Sequence, residues 1–234
     1  MCSLKSKKFM ISIPVHEAPD VICDQIRNFR KYMPNSSIVL HISKSYFKDF
    51  SIDQIYEKDC VFINPTHLDT SWGDILHTHI SNFNYIRNVE KFDYFILHSS
   101  NDLYIRQGAE EYIQKYPAGY NIHKILTKNT YWWPGNNSWS DTRLTSIMSY
   151  IGQNIKVASQ IEGSFYRYDI IENIINLINM FSAYNEKYNS IIYPREEIYF
   201  PTIASAITEW SSIGRPYVFS EVHRFDRVIW KFLQ

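Results

Sequence analysis

Two adjacent carboxylates, Glu196-Glu197, follow Pro194 and open an apolar-periodic stretch containing Tyr199, Phe200 and Ile203. Acidic side chains favour a helix's first turn through the macrodipole, so the pair could be structural. The same pair could also supply a general base that takes a proton from an attacking hydroxyl. Ser99-Ser100-Asn101-Asp102 is a second acidic spot. Paired carboxylates in a DxD arrangement hold a divalent cation on a diphosphate, because hard cations prefer oxygen ligands. Asp102 has Asn101 before it, so half of that clamp is missing, and Asn-Asp is also a common turn or cap pair. Glu162-Gly163-Ser164 joins an acid to a glycine that lets backbone approach a ligand. His16, beside Glu17, His41 and His98 could form a metal triad or simply be hydrogen bonded. His77 and His79, two apart on a helix, face different directions and cannot chelate together. Arg224, Arg227 and Lys231 could neutralise a diphosphate leaving group, or form a solvated tail.

The elements that must position these residues are readable from periodicity. Residues 9–15 (FMISIPV), 37–42, 61–63 and 94–97 are short apolar runs that predict buried strands. Helical spacing occupies 20–33 and 73–89 between them. Strands alternating with helices imply βαβ units and a mostly parallel sheet covered on both faces. Ligands of such sheets bind at the carboxyl ends of the strands, which nominates the loops 15–19, 43–46 and 98–104. The later chain predicts strands near 121–127 and 164–168, an amphipathic piece at 142–151, and helices at 169–187 and 196–207. Between them runs a loop, 131–139, with Trp132, Trp133 and Trp139; these rings are candidate stacking faces for a sugar, or core. The whole of 1–234 reads as one domain, with a flexible tail at 1–8 and halves at about 9–105 and 106–234.

Composition narrows the function classes. The chain has 234 residues with 24 Lys+Arg against 24 Asp+Glu, which removes the simplest case for binding nucleic acid. Aromatic residues make up 16%, a content that permits a carbohydrate or nucleotide site without requiring one. No window approaches a membrane span. Three cysteines without CxxC spacing argue against a disulfide framework or a zinc site and for a reduced, cytoplasmic setting. Lys5, Lys7 and Lys8 could touch an anionic membrane surface or remain solvated. The signatures GxSxG, GxxxxGK[ST], HExxH and GxGxxG do not occur.

Taken in order, several segments resemble the core-2/I-branching β-1,6-N-acetylglucosaminyltransferase family, which includes peptide O-xylosyltransferases. The resemblance starts at Ile13-Pro14-Val15-His16 and Ile38-Val39-Leu40-His41-Ile42, and continues at Ser71-Trp72-Gly73-Asp74 and Ser81-Asn82-Phe83-Asn84. Phe92 to Ile105 looks like the family's strand and "SGxDxPI" segment. Gly163-Ser164-Phe165-Tyr166-Arg167 is similar to its "GSxxFxxxR" stretch. Pro194 to Thr202 is similar to "PDExxxxT".

The resemblance implies an inverting, metal-independent glycosyltransferase on the α/β fold called GT-A, without a cofactor beyond its nucleotide-sugar co-substrate. It implies Glu197 as catalytic base, with Val15, His16, Glu17, Ser100, Asn101, Asp102, Arg224 and Arg227 at the donor. Glu162, Gly163, Ser164, Trp132, Trp133 and Trp139 would meet a glycan or glycolipid acceptor. Where the family has an acidic residue after the second strand, Ser43-Lys44 follows Ile42 here. The expected setting is bacterial and cytoplasmic, with peripheral contact at the inner face of the membrane as an option. A non-catalytic sugar or nucleotide binder, and a metal-dependent transferase using Asp102, are the alternatives.

Overall fold

The computed structural model describes residues 7–47, 50, 53, 55, 59–71, 73–128, 133–181 and 193–218. Four parallel strands form the centre: β1 (Phe9–Val15), β2 (Ser36–Ile42), β3 (Val61–Ile63) and β4 (Tyr94–Leu97). They connect through α1 (Pro19–Tyr32), α2 (Lys44–Phe47) and α3 (Leu76–Ile86). Then follow α4 (Ala109–Ile113), β5 (Ala118–Gly119), β6 (His123–Ile125), α5 (Trp133–Ser138) and α6 (Thr142–Tyr150). The chain continues with β7 (Lys156–Ala158), β8 (Phe165–Arg167), α7 (Tyr168–Met180) and α8 (Glu196–Ile207). The main sheet has the order β3-β2-β1-β4-β8-β5, with β8 antiparallel to both of its neighbours. β6 and β7 make a separate antiparallel ribbon. The fold is mixed α/β with a mostly parallel central sheet flanked by helices.

Strand alternation divides the core between the two faces. Phe9, Ile11, Ile13 and Val15 pack with Ile22, Ile26 and Phe29 of α1 and Ile113 of α4. Met10, Phe95, Leu97 and Tyr166 point the other way, into Phe83, Ile174, Ile198 and Phe200. α1 has Pro19 at its start, Asp20 in its first turn and Arg30 and Lys31 in its last, an arrangement matched to the helix macrodipole. Ser12 interrupts the apolar pattern of β1 and meets a buried polar group. It contacts His79 Nδ1 at 2.8 Å and accepts from Asn82 Nδ2 at 3.0 Å.

Several expectations need correction. The strand foreseen near 121–127 is shorter and lies in the ribbon. The aromatic loop 131–139 contains the short helix α5, while Tyr131 and Trp132 lie outside the described residues. α7 is described as far as Met180, and 182–192 fall outside. Lys7 and Lys8, expected in a flexible tail, are held: Lys7 pairs with Asp93, and Lys8 with Glu90, both at 3.0 Å. The ammonium groups proposed for a membrane surface are therefore ion-paired at these two positions. Among the described residues no helix is long and apolar enough to cross a membrane.

Candidate functional site

The carboxyl ends of β1 and β4 lie side by side, and the loops leaving them interlock. Ser100 Oγ accepts from the His16 backbone N–H at 3.3 Å, and Asn101 Nδ2 donates to Glu17 Oε1 at 3.4 Å. Gln25 of α1 donates to the Ser99 and Asp102 carbonyls at 2.7 and 3.1 Å, holding the β4 loop from below. Asp102 Oδ2 accepts from the Ser99 N–H at 3.0 Å and from His98 Nδ1 at 2.8 Å. With Nδ1–H spent on the carboxylate, His98 Nε2 accepts the Tyr104 hydroxyl at 2.7 Å. Tyr217 closes the group, its hydroxyl 2.6 Å from that of Tyr104. His41 Nε2 instead accepts from the Leu68 N–H at 3.1 Å. His16, His41 and His98 thus have separate partners, and among the described residues no three His, Cys, Asp or Glu side chains are grouped to hold a metal ion.

Because β8 is antiparallel to β4, its beginning lies at this same end of the sheet. Leu97 N–H donates to the Ser164 carbonyl and Gly163 N–H to the Leu97 carbonyl, both at 2.9 Å. Glu162, just ahead, accepts from Ser99 Oγ at 3.0 Å. Gly163 has a φ of +73°, and a Cβ there would come within 2.7 Å of Val218. What this glycine admits is the protein's own chain. Ser164 is buried and its hydroxyl donates to the Gln160 carbonyl at 2.7 Å.

Glu196 and Glu197 reach the site through a proline. Pro201 sits inside α8 and has no N–H, so the Glu197 carbonyl four residues earlier lacks its helical donor. Ser159 N–H supplies it at 2.9 Å. One residue beyond the proline, Thr202 Oγ1 accepts from Val157 N–H at 2.9 Å and donates to the Val157 carbonyl at 3.0 Å. β7 and the Ser159 that follows it are thereby joined to α8 at Glu197 and Thr202.

The electrostatics of the pair are unusual. A first-turn position favours ionised carboxyls by about 0.3–1 kcal/mol. Burial overrides it. Glu197 is pushed up to about 8 by burial, with the negative charges of Glu196 and Glu162 adding to the effect. Glu196, 4% exposed, is raised to about 7 by burial and by Asp74 and Glu162, against backbone N–H groups of its own residue and Ile75. Burial also raises Glu162. Glu196 and Glu197, whose charges oppose one another, titrate as a coupled pair and stay partly protonated near neutrality, with Glu162 raised beside them. Such perturbation beside the carboxyl ends of β1 and β4 marks a functional candidate.

A stability measurement checks this electrostatic state independently of activity. Unfolded carboxyls release protons near 4.5, while the folded pair keeps them to about 7 and 8. The native state binds more protons across that window, so stability falls as pH rises through it. Glu196→Gln is expected to flatten the loss and to stabilise the protein at pH 8 by about 1–3 kcal/mol. Urea unfolding at pH 5 and pH 8 measures both, and a variant with the wild-type pH dependence would overturn the clustering.

The other expected contacts are dispersed. Val15 and Ser100 are buried, whereas His16 and Asn101 are exposed and Glu17 is half-buried. Trp133 is 43% exposed at the start of α5. Trp139 packs against the core with the buried Lys156 ammonium 4.4 Å from its ring centre, so one stacking face is taken. Trp132, Arg224, Arg227 and Lys231 lie outside the described residues, as does Trp72.

Two contributors escaped the sequence reading. Asp141 caps α6 by accepting from Leu144 N–H at 3.0 Å, and accepts from the Tyr193 and Tyr199 hydroxyls at 2.6 and 2.9 Å. It also meets Arg195 Nε at 3.3 Å. Its three partners near α8 bracket Glu196-Glu197. An acidic residue before Thr142 signals an N-cap, but nothing local signals the tyrosines. The second is Asp74 with His77, 3.4 Å apart; the charge of Asp74 acts on Glu196, and that of Glu196 acts on His77.

No protein-family model matches the chain, and no curated protein does. Among solved structures, a 4-diphosphocytidyl-2C-methyl-D-erythritol synthase aligns with a TM-score of 0.43 at 8% identity, covering 97% of this chain and 100% of that one. At that level of similarity the function has to be read from the site itself.

Proposed function

We propose that the protein is an inverting glycosyltransferase of the GT-A type. It moves a sugar, N-acetylglucosamine by default, from a UDP-sugar to a hydroxyl of a glycan acceptor, without a divalent metal. The setting we propose is bacterial surface polysaccharide or lipopolysaccharide synthesis at the inner face of the membrane. The observation that carries this reading is Glu197: half-buried, raised in basicity, and beside Glu162 where the β1, β4 and β8 loops converge. An unionised sugar hydroxyl is a poor nucleophile, and a carboxylate with a value near neutrality is suited to take its proton in the transition state. In this reading the acceptor oxygen attacks the anomeric carbon from the face opposite the diphosphate. The anomeric C–O bond breaks, UDP departs with that electron pair, and the acceptor proton passes to Glu197. Glu162 orients an acceptor hydroxyl, with Ser99 holding it in place. Asp102 orders the donor loop through His98 and Ser99. Arg224, Arg227 and Lys231 are proposed, from the family resemblance, to neutralise the diphosphate.

Calorimetry with a panel of nucleotide sugars, followed by product analysis, tests the reading. A UDP-sugar is expected to bind and to be slowly hydrolysed, with EDTA leaving the rate unchanged. A strict Mn²⁺ requirement would replace it with a metal-dependent transferase using Asp102. Binding with no hydrolysis or transfer would leave a sugar-nucleotide binder.

A further inference from the structure

A cleft of about 470 Å³ lies between the loop after β3 and the outer face of α3. Asn64, Thr66 and Leu68 line one side, and Ile80, Ser81, Asn84 and Tyr85 line the other, with His77 at one end. The volume falls within the range of about 300–1,000 Å³ typical of small-ligand clefts. No Asp, Glu, Lys or Arg is among the lining residues, which disfavours a phosphate or a metal ion. What the walls offer is hydroxyl and amide groups around the aliphatic Leu68 and Ile80. That combination fits a pyranose ring, which presents hydroxyls at its rim and C–H groups on its faces. A nucleobase would call for stacking surfaces, and Tyr85 is the one aromatic ring other than His77 in the lining.

The walls are held in place before any ligand arrives. Asn64 is fully buried; it donates to Ser81 Oγ at 2.9 Å and Asn82 Oδ1 at 3.0 Å, and accepts from Thr66 N–H at 3.0 Å. Because Ser81 Oγ already accepts from Asn64, its own hydrogen is the group left to donate. The loop is tied down where Leu68 N–H donates to His41 and the Leu68 carbonyl accepts from Lys44 N–H at 3.0 Å. A preformed wall avoids the ordering cost of binding. His77 joins the cleft to the carboxylate cluster: it is bonded to the Asp69 carbonyl at 2.8 Å, stands 3.4 Å from Asp74, and feels the charge of Glu196.

We infer that this cleft is a subsite for a neutral sugar unit of the acceptor, one or more residues from the hydroxyl that reacts. The inference rests on the glycosyl-transfer reading. The acceptor class it names is a neutral oligosaccharide, longer than the single residue that meets Glu197.

Asn84 is exposed on α3 and lies outside the carboxylate cluster, so Asn84→Trp fills the cleft without touching that machinery. Binding of neutral di- and trisaccharides, N-acetyllactosamine among them, is measured by saturation-transfer NMR, with Ser81→Ala as a milder variant. At least one saccharide is expected to bind wild type and to weaken by about tenfold or more in Asn84→Trp. UDP-sugar hydrolysis should be unchanged in both variants. If hydrolysis persists and no saccharide is weakened, or none binds, the subsite is wrong while the transfer reading stands. Uridine lost in place of the saccharides would make the cleft a base site and also overturn the inference. Absence of any UDP-sugar turnover in wild type would remove the transfer reading itself.

Discussion

Glu197→Gln is expected to lower glycosyl transfer by about 10²–10⁴-fold while leaving UDP binding intact. The amide keeps the size of the carboxyl and cannot accept the acceptor's proton, so the loss falls on the chemical step. As the proposed base Glu197 has to be ionised, and its value is pushed up to about 8. The kcat/KM profile should therefore rise with pH through that region and level off above it. In Glu197→Gln the residual rate should lose this limb. Glu196→Gln gives a complementary shift. Removing the neighbouring negative charge makes Glu197 easier to ionise, so the limb should move to lower pH with catalysis retained. Steady-state rates from pH 5 to 10 distinguish these outcomes. Full activity in Glu197→Gln, or an unchanged limb, would transfer the base role to Glu162 or Glu196.

The second large effect is expected at a residue away from the reacting groups. Asp141→Ala should destabilise the protein by about 3–5 kcal/mol, because two buried tyrosine hydroxyls and a helix-capping N–H lose one acceptor together. Tyr193 and Tyr199 are both fully buried, so water cannot readily replace the carboxylate. Arg195, whose charge adds to the Leu144 N–H and the two tyrosine hydroxyls in keeping Asp141 ionised against burial, loses that partner as well. For a protein of this size each kcal/mol lowers the melting temperature by about 2–4 °C. Asp141→Asn retains one acceptor oxygen and should lose roughly half as much. Calorimetric melting temperatures of the two variants provide the test. If Asp141→Ala melts like wild type, the Asp141 cluster does not secure the start of α8.

The predicted elements of the first half match the structure because each carries its own signal. β1 alternates across a sheet that buries both faces, so FMISIPV is apolar at every position except Ser12, and α1 shows its apolar stripe between a proline and two basic residues. β5 has two residues and β7 and β8 three each, too few for a period to register. Direction is invisible at that length. The reversal of β8, which brings Glu162 to the carboxyl end of β4, follows from pairing with Tyr94–Ile96 and not from its own residues. Pro201 shows the same division. Its lack of an N–H is a local fact, but its consequence depends on Ser159 lying opposite the Glu197 carbonyl.

The amino-acid sequence alone determined the alternating α/β order, the strand ends near which side chains gather, and an acidic pair at a helix start. Those features depend on neighbours within a few residues, where backbone sterics and apolar periodicity act. Only the tertiary structure decided that Glu162, Glu196, Glu197 and Asp74 form one electrostatic group, that Asp141 anchors its frame, and that Lys156 covers Trp139. Proton affinity is set by burial and by charges within a few ångströms in space. Ser99 and Glu162 are 63 positions apart in the chain and 3.0 Å apart across the site.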